Sequence, residues 1–165
     1  ANTRLPRGDV EDLRQECLDY EAEIRAAGGI DLQILGLGSN GHIGFNEPTG
    51  SLSSRTWVKI LSESTIEDNA DLFENPEDVP RHCITMGIGT ILEARKIVIL
   101  AFGHGKAKAV AEMVEGAVSA MCPASALQFH QRVIVIVDKE AAARLDHADH
   151  YRWIDAHKLP WQRYD

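Results

Sequence analysis

The order of apolar patterns along this chain predicts an α/β protein in three layers, a mostly parallel sheet with helices on both faces. Three observations carry that prediction. The segments IDLQILGLG (30–38), KIVILAF (96–102) and RVIVIV (132–137) are short and aliphatic, as strands buried inside a parallel sheet are. Helix-period stretches alternate with them in the order β-α-β-α-β. Residues 36–47 and 103–106 follow two of these strands, at the carboxyl ends where such sheets bind ligands.

The elements follow in order. Val10, Leu13, Cys17, Tyr20, Ile24 and Ala27 recur every three or four residues, which predicts an amphipathic helix with Asp9 as N-cap and Gly28-Gly29 as its stop. A buried strand at 30–38 comes next, then a strand candidate at WVKIL (57–61). From Ser62 to Pro80 the chain is acidic and poor in apolar residues, so a short helix and surface loops are expected, in the position of a mobile flap. CITMGIGTILEA (83–94) reads as a short strand or turn and a short helix, 96–102 as a buried strand, and GKAKAVAEMVEGAV (105–118) as a helix. ASALQFH (124–130) reads as one more helix behind Pro123, and RVIVIVDKEAAARL (132–145) as strand then helix with Asp138 as N-cap.

Composition narrows the function classes. With 165 residues the expectation is a single α/β domain spanning 1–165, and 44% hydrophobic with 25% charged residues is ordinary for a globular chain. No apolar run approaches the ~20 residues of a membrane span. A net charge of -8, without a basic stripe, argues against polynucleotide binding but not against a small anion, which one lysine and a few backbone N–H groups can hold at short range. Cys17, Cys83 and Cys122 are odd in number and widely spaced, which fits a reducing, cytoplasmic setting. The chain opens with Ala1 and no secretory pattern, so its start reads as a cut end.

LGLGSNGHIGFNEP (35–48) contains a literal G-x-G-x-x-G at Gly36, Gly38 and Gly41. A dinucleotide site would need a helix from the third glycine to the next strand, followed by an acidic residue, a place Glu63 could fill. The intervening HIGFNEPTGSLSSR has no helical period and no room for a crossover of ~10 residues. The better reading is a catalytic turn, in which tight glycine backbone gathers Asn40, His42 and Glu47 at a strand end. An imidazole with a free pKa of ~6.5 takes and gives protons near neutrality, and a carboxylate such as Glu47 fixes its tautomer. Lys106 stands where KIVILAF turns through Gly103-His104-Gly105 into a helix, a place whose N–H groups suit an anion.

GLGSNGHIGFNEP followed by SLSSRT resembles the signature of the isomerising glucosamine-6-phosphate deaminases. The resemblance continues through DVPRHCITMGIGTILEARKIVILAFGHGKAKAV to SALQFH. The related 6-phosphogluconolactonases share a G-x-D-G-H core, and Phe45, Asn46, Glu47 and Pro48 favour the deaminase branch. The resemblance implies a Rossmann-like sugar-phosphate isomerase/deaminase fold, incomplete at its amino terminus. It also implies conversion of glucosamine 6-phosphate to fructose 6-phosphate and ammonia.

In that family the ring-opening histidine falls on His42, its glutamate partner on Glu47, and the third member of the triad on Asn40, where some members carry aspartate. Lys106 falls on the phosphate-binding lysine, and Gly38 and Gly41 would line the substrate. Of an allosteric phosphate site, Ser51 and Lys59 match, whereas the basic residue expected at 57 is Trp57; Asp71 stands where many members carry a substrate-binding arginine. No cofactor and no metal are implied, the partner being a phosphorylated amino sugar, with a homo-oligomer as a further expectation. Family members also carry, ahead of the point matching Asn2, a phosphate loop and the aspartate that moves a proton between C1 and C2. Neither occurs here, so the resemblance implies the carboxyl-terminal portion of a longer catalytic domain, inactive alone. A non-catalytic sugar-phosphate-binding remnant and a 6-phosphogluconolactonase-like hydrolase are the alternatives. His147 and His150 with Asp146 and Asp149 lack a third well-spaced metal ligand and read as a solvated tail, while Trp153 and Trp161 are expected to pin the carboxyl terminus to the body.

Overall fold

A computed structural model describes residues 3–163 apart from 69, 76 and 77. Its strands are β1 (Gln33–Gly36), β2 (Trp57–Ile60), β3 (His82–Thr85), β4 (Ile97–Ala101) and β5 (Val133–Val137). Its α-helices are α1 (Leu13–Ala26), α2 (Glu63–Asp68), α3 (Ile88–Leu92), α4 (Ala107–Val114) and α5 (Ala148–Ala156), with 3₁₀ turns at 70–72, 104–106, 123–129 and 160–162. No helix among the described residues is long and apolar enough to cross a membrane.

The aliphatic runs form a parallel sheet in the order β1-β4-β5, with Gln33 opposite Ile97 and Ile97 opposite Val133. Leu35, Ile97, Ile99 and Ala101 point to one face and are buried against α3, α4 and the 123–129 turn through Ile88, Ile91, Val110 and Leu127. On the other face Ile34 is 61% exposed, and Ile136, two strands away, is exposed too. The strand candidate at 57–61 is real but lies outside this sheet, since β2 pairs antiparallel with β3 as a separate ribbon.

No helix stands between β1 and β2, whose connecting residues are all described, and the two strands belong to different sheets. That removes the crossover a dinucleotide site would need.

Four expectations shift. The N-cap of α1 is Asp12, one turn after Asp9, its carboxylate accepting the Gln15 N–H at 2.9 Å. After β5 there is no helix over 139–145 despite the favourable EAAAR composition, only turns that bury Ala141. Tertiary contact overrides propensity here. Asp138 uses one carboxylate oxygen to accept the Ala141 N–H at 2.7 Å and the other to accept the Gly103 N–H at 3.0 Å, so it ties the ends of β5 and β4 together. The expected solvated tail forms α5, and the backbone N–H groups just ahead of it, at Asp146 and His147, are received by Glu115 at 2.9 Å each. Trp153 and Trp161 do not pin the terminus, being 60% and 77% exposed, and Trp153 stacks on His157 instead.

The ribbon is moored by a buried acid. Glu21 of α1 accepts the Thr56 N–H at 2.9 Å, the Thr56 and Thr90 hydroxyls at 2.6 Å each, and Arg55 Nη2 at 2.6 Å. Burial pushes its carboxyl up, but the donations from Thr56, Thr90 and Arg55 outweigh that and hold it at about 2. Arg55 also donates to Glu93. The Arg55-Thr56 pair of SLSSRT thus joins α1, the ribbon and α3.

Candidate active site

β1 ends at Gly36, and the chain reverses within five residues. The Gly41 N–H donates to the Gly38 carbonyl at 3.0 Å, and the Gly38 N–H to the His42 carbonyl at 2.9 Å. Gly41 has φ of 85°, a left-handed conformation that costs a side-chain-bearing residue ~1–2 kcal/mol. At Gly38 the constraint is space, because a Cβ there would lie 2.3 Å from His42 Nδ1. The two glycines let backbone and imidazole share one small volume.

The turn brings together the three expected polar residues. His42 Nδ1 lies 2.8 Å from Asn40 Oδ1, and Asn40 Nδ2 donates to Glu47 Oε2 at 2.7 Å. The carboxylate can only accept, so the Asn40 atom facing it is the amide nitrogen, and the oxygen faces the ring. His42 Nδ1 therefore carries the proton, and Nε2 keeps its lone pair as a base. Glu47 itself is 3.6 Å from Nδ1, beyond hydrogen-bonding distance, so Asn40 acts as the relay.

Sequence reasoning missed two further partners of Glu47. Thr65 and Ser62, at the start of α2, donate to its Oε1 at 2.5 and 3.2 Å. Burial pushes the Glu47 carboxyl up; the donations from Thr65, Asn40 and Ser62 and the attraction of His42 prevail and hold it below the usual glutamate range. Glu47 is ionised at neutral pH. A signal existed for Ser62 alone, a serine directly ahead of a short acidic helix being an N-cap type.

Around this chain the loop is braced. The buried Asn46 donates to the Ile43 and Met86 carbonyls and accepts the Trp57 indole N–H at 3.1 Å, while the Phe45 N–H donates to Thr85 Oγ1 at 3.0 Å. Trp57, standing where the resemblance expects a basic residue, thus links the ribbon to the loop that bears His42 and Glu47.

His42 and Lys106 open on one cleft of about 320 Å³, lined also by Leu37, Gly38, Phe45 and Thr65. Larger cavities of about 490 and 830 Å³ lie beside β5 and α5, but their linings, centred on Val135, Val137 and Tyr151, hold no histidine. The smaller cleft is the one whose lining holds both the oriented imidazole and a cation. Lys106 closes the 3₁₀ turn leading into α4, on the loop whose Gly103 is held by Asp138. Asp138 was the other residue missed in this role.

The remaining candidates fall elsewhere. Gly41 is buried against Cys122 and lies outside the cleft lining. Ser51 contacts Ser53, Lys59 sits 5.0 Å above the Trp57 ring, and Asp71 is exposed in the 70–72 turn. Of the flap, residues 69, 76 and 77 lie outside the described residues. Among the described residues no three His, Cys, Asp or Glu side chains are placed to hold a metal ion. The three thiols are free but not activated, since burial pushes Cys17, Cys83 and Cys122 up, Cys83 to about 11.

The parallel α/β sheet bears an imidazole–amide–carboxylate chain beyond one strand end and a lysine on the loop beyond the next, groups whose chemistry suits proton transfer and the holding of an anion. The family described as glucosamine-6-phosphate isomerases/6-phosphogluconolactonase matches residues 2–136, and the chain belongs to it. A glucosamine-6-phosphate deaminase of Cutibacterium acnes is 57% identical over 96% of this chain and 60% of its own length. One from Bifidobacterium longum is 60% identical over 87% of this chain and 53% of its own. Among solved structures, a monomeric glucosamine-6-phosphate deaminase superposes with a TM-score of 0.81 at 47% identity, covering 84% of this chain and 58% of that one. The 6-phosphogluconolactonase of Trypanosoma brucei, at TM-score 0.60 and 21% identity over 84% of this chain and 57% of its own, shares the fold. The chain therefore spans about three fifths of the length of the curated relatives it matches.

Proposed function

We propose that this chain carries the ring-opening and phosphate-holding part of a glucosamine-6-phosphate deaminase, acting in amino sugar metabolism. The observation that carries the reading is the fixed tautomer of His42. With Nδ1–H committed to Asn40, Nε2 accepts the proton of the anomeric hydroxyl and returns it to the ring oxygen as the C1–O bond of the ring breaks and the C1 carbonyl forms. Glu47, ionised, stabilises the imidazolium that exists between the two transfers. Lys106 holds the phosphate from the loop at the head of α4, where a cation opposes the helix dipole by ~0.3–1 kcal/mol until an anion arrives.

The transfer between C1 and C2 needs a further base, which the reading assigns to the part of the relatives' length that these 165 residues do not match. On this reading residues 1–165 are a portion of a longer catalytic domain, and three free thiols support a reducing, cytoplasmic setting. The test is a titration of the isotopically labelled chain with glucosamine 6-phosphate. Amide signals of Gly38, His42 and Lys106 shift on addition, and Lys106→Ala weakens the binding about tenfold or more, as loss of a charge-assisted contact does. Absence of any response at His42 and Lys106 rejects the assignment.

A further inference from the structure

Glu47 is gripped by an element remote from the loop that bears it. Ser62, the residue before α2, caps that helix: its Oγ accepts the Thr65 N–H at 3.3 Å, and its carbonyl accepts the Ile66 N–H at 3.0 Å. The same two hydroxyls reach the carboxylate, Thr65 at 2.5 Å and Ser62 at 3.2 Å, with Ser62 Oγ also 2.9 Å from Thr65 Oγ1. Thr65 is 3% exposed although Glu63, Glu67 and the 71–75 stretch around it are exposed, and it lines the cleft beside His42 and Lys106.

Each side of this contact needs the other. A six-residue helix is too short to be stable alone in water, so α2 depends on its tertiary contacts. A buried carboxylate depends on its donors, since each one removed leaves a desolvated oxygen without its partner. The groups facing Glu47 are Asn40, His42, Ser62 and Thr65, with the Cys83 thiol close enough to feel its charge. Among the described residues, Ser62 and Thr65 are the ones that come from the flap.

We propose that Thr65, backed by Ser62, is a positioning residue that makes assembly of the His42–Asn40–Glu47 chain conditional on α2 being docked over the cleft. The proposal rests on the functional reading above, in which that chain handles the proton. When α2 lifts, Glu47 loses both hydroxyl donors and turns towards water. Asn40 then loses the acceptor that fixes its amide, and His42 loses the oxygen that selects its tautomer. Closure and poise of the base become one event.

The test uses this chain with ¹⁵N-labelled histidine and ¹³C-labelled glutamate. Thr65→Val keeps the side-chain shape and deletes the donor. It is expected to move the Glu47 titration midpoint up, to draw the ¹⁵N shifts of His42 Nδ1 and Nε2 towards each other as the second tautomer populates, and to speed exchange of the Ile66 amide. Thr65→Ser restores all three readouts. Ser62→Ala moves them in the same direction by less, and it decides the matter if Thr65→Val does not fold. Unchanged Glu47 and His42 signals in the deciding variant overturn the proposal, as does Thr65→Ser behaving unlike the parent. None of these readouts requires turnover. A chain that meets them yet ignores glucosamine 6-phosphate refutes the functional reading and leaves the tie between α2 and Glu47 standing.

Discussion

Glu21 and Glu47 are almost equally buried, at 4% and 5% exposed, and both collect threonine hydroxyls. They differ in the charge set against them. Glu21 faces a permanent cation, Arg55 at 2.6 Å, while Glu47 faces an amide and an imidazole that is charged only when protonated. The first arrangement saturates the carboxylate and makes it a brace between α1, the ribbon and α3. The second leaves a carboxylate whose interaction energy changes whenever its neighbour gains a proton. Burial alone does not separate a structural acid from a chemical one; the partner's ability to titrate does.

The comparison is broken most severely by removing the titrating partner. On the proposed reading, His42→Gln in the longer deaminase that reading implies is expected to lower ammonia release about 10²–10⁴-fold while the urea midpoint hardly moves. Turnover near the parent's would strip Glu47 of its chemical role. Glu21→Ala should do the opposite, costing about 2–4 kcal/mol in urea unfolding, because it strands the Thr56 and Thr90 donors and half of the Arg55 fork, with the His42 tautomer unaffected. A neutral result there would make the brace ornamental.

Acid sharpens the contrast. Both carboxyls lie below their ordinary range in the folded chain, so the stability they contribute is complete above the ordinary glutamate value of 4.5 and is lost as pH falls. For Glu21 the loss runs down to about 2. Urea midpoints measured from pH 5 to 2 should fall steadily, and Glu21→Gln should flatten the curve more than Glu47→Gln. The smallest effect is expected at Thr49, a β-branched residue at φ of 74° held by donation of its N–H to the Ala120 carbonyl at 2.8 Å. Thr49→Gly relieves a strain of ~1–2 kcal/mol but adds unfolded-state freedom, for a net gain of about 1 kcal/mol or less in the same melts.

What was legible in the sequence follows distance along the chain. Asn40, His42 and Glu47 fall within eight residues among glycines, so their convergence could be read from turn chemistry. Thr65 lies 18 residues from Glu47, and Thr90 lies 69 from Glu21; those contacts exist only once the flap and the ribbon have folded. The aliphatic strands announced the parallel sheet, whereas β2 and β3 form a ribbon of their own, which pairing and not composition decides. The stretch after β5 misled because alanine-rich composition favours a helix, while the chain there forms turns, with the Ala141 N–H donated to Asp138 and its side chain buried. The helix α5 was hidden for the converse reason, having no buried residue to mark its period.

Asn40 has one more consequence. An uncharged amide between a base and an acid behaves as an electrical insulator: it transmits orientation and field but carries no proton. A proton picked up by the ring cannot drain into the carboxylate behind it. On the proposed reading it leaves from Nε2, the nitrogen that took it up, which makes the imidazole a ferry and not a reservoir.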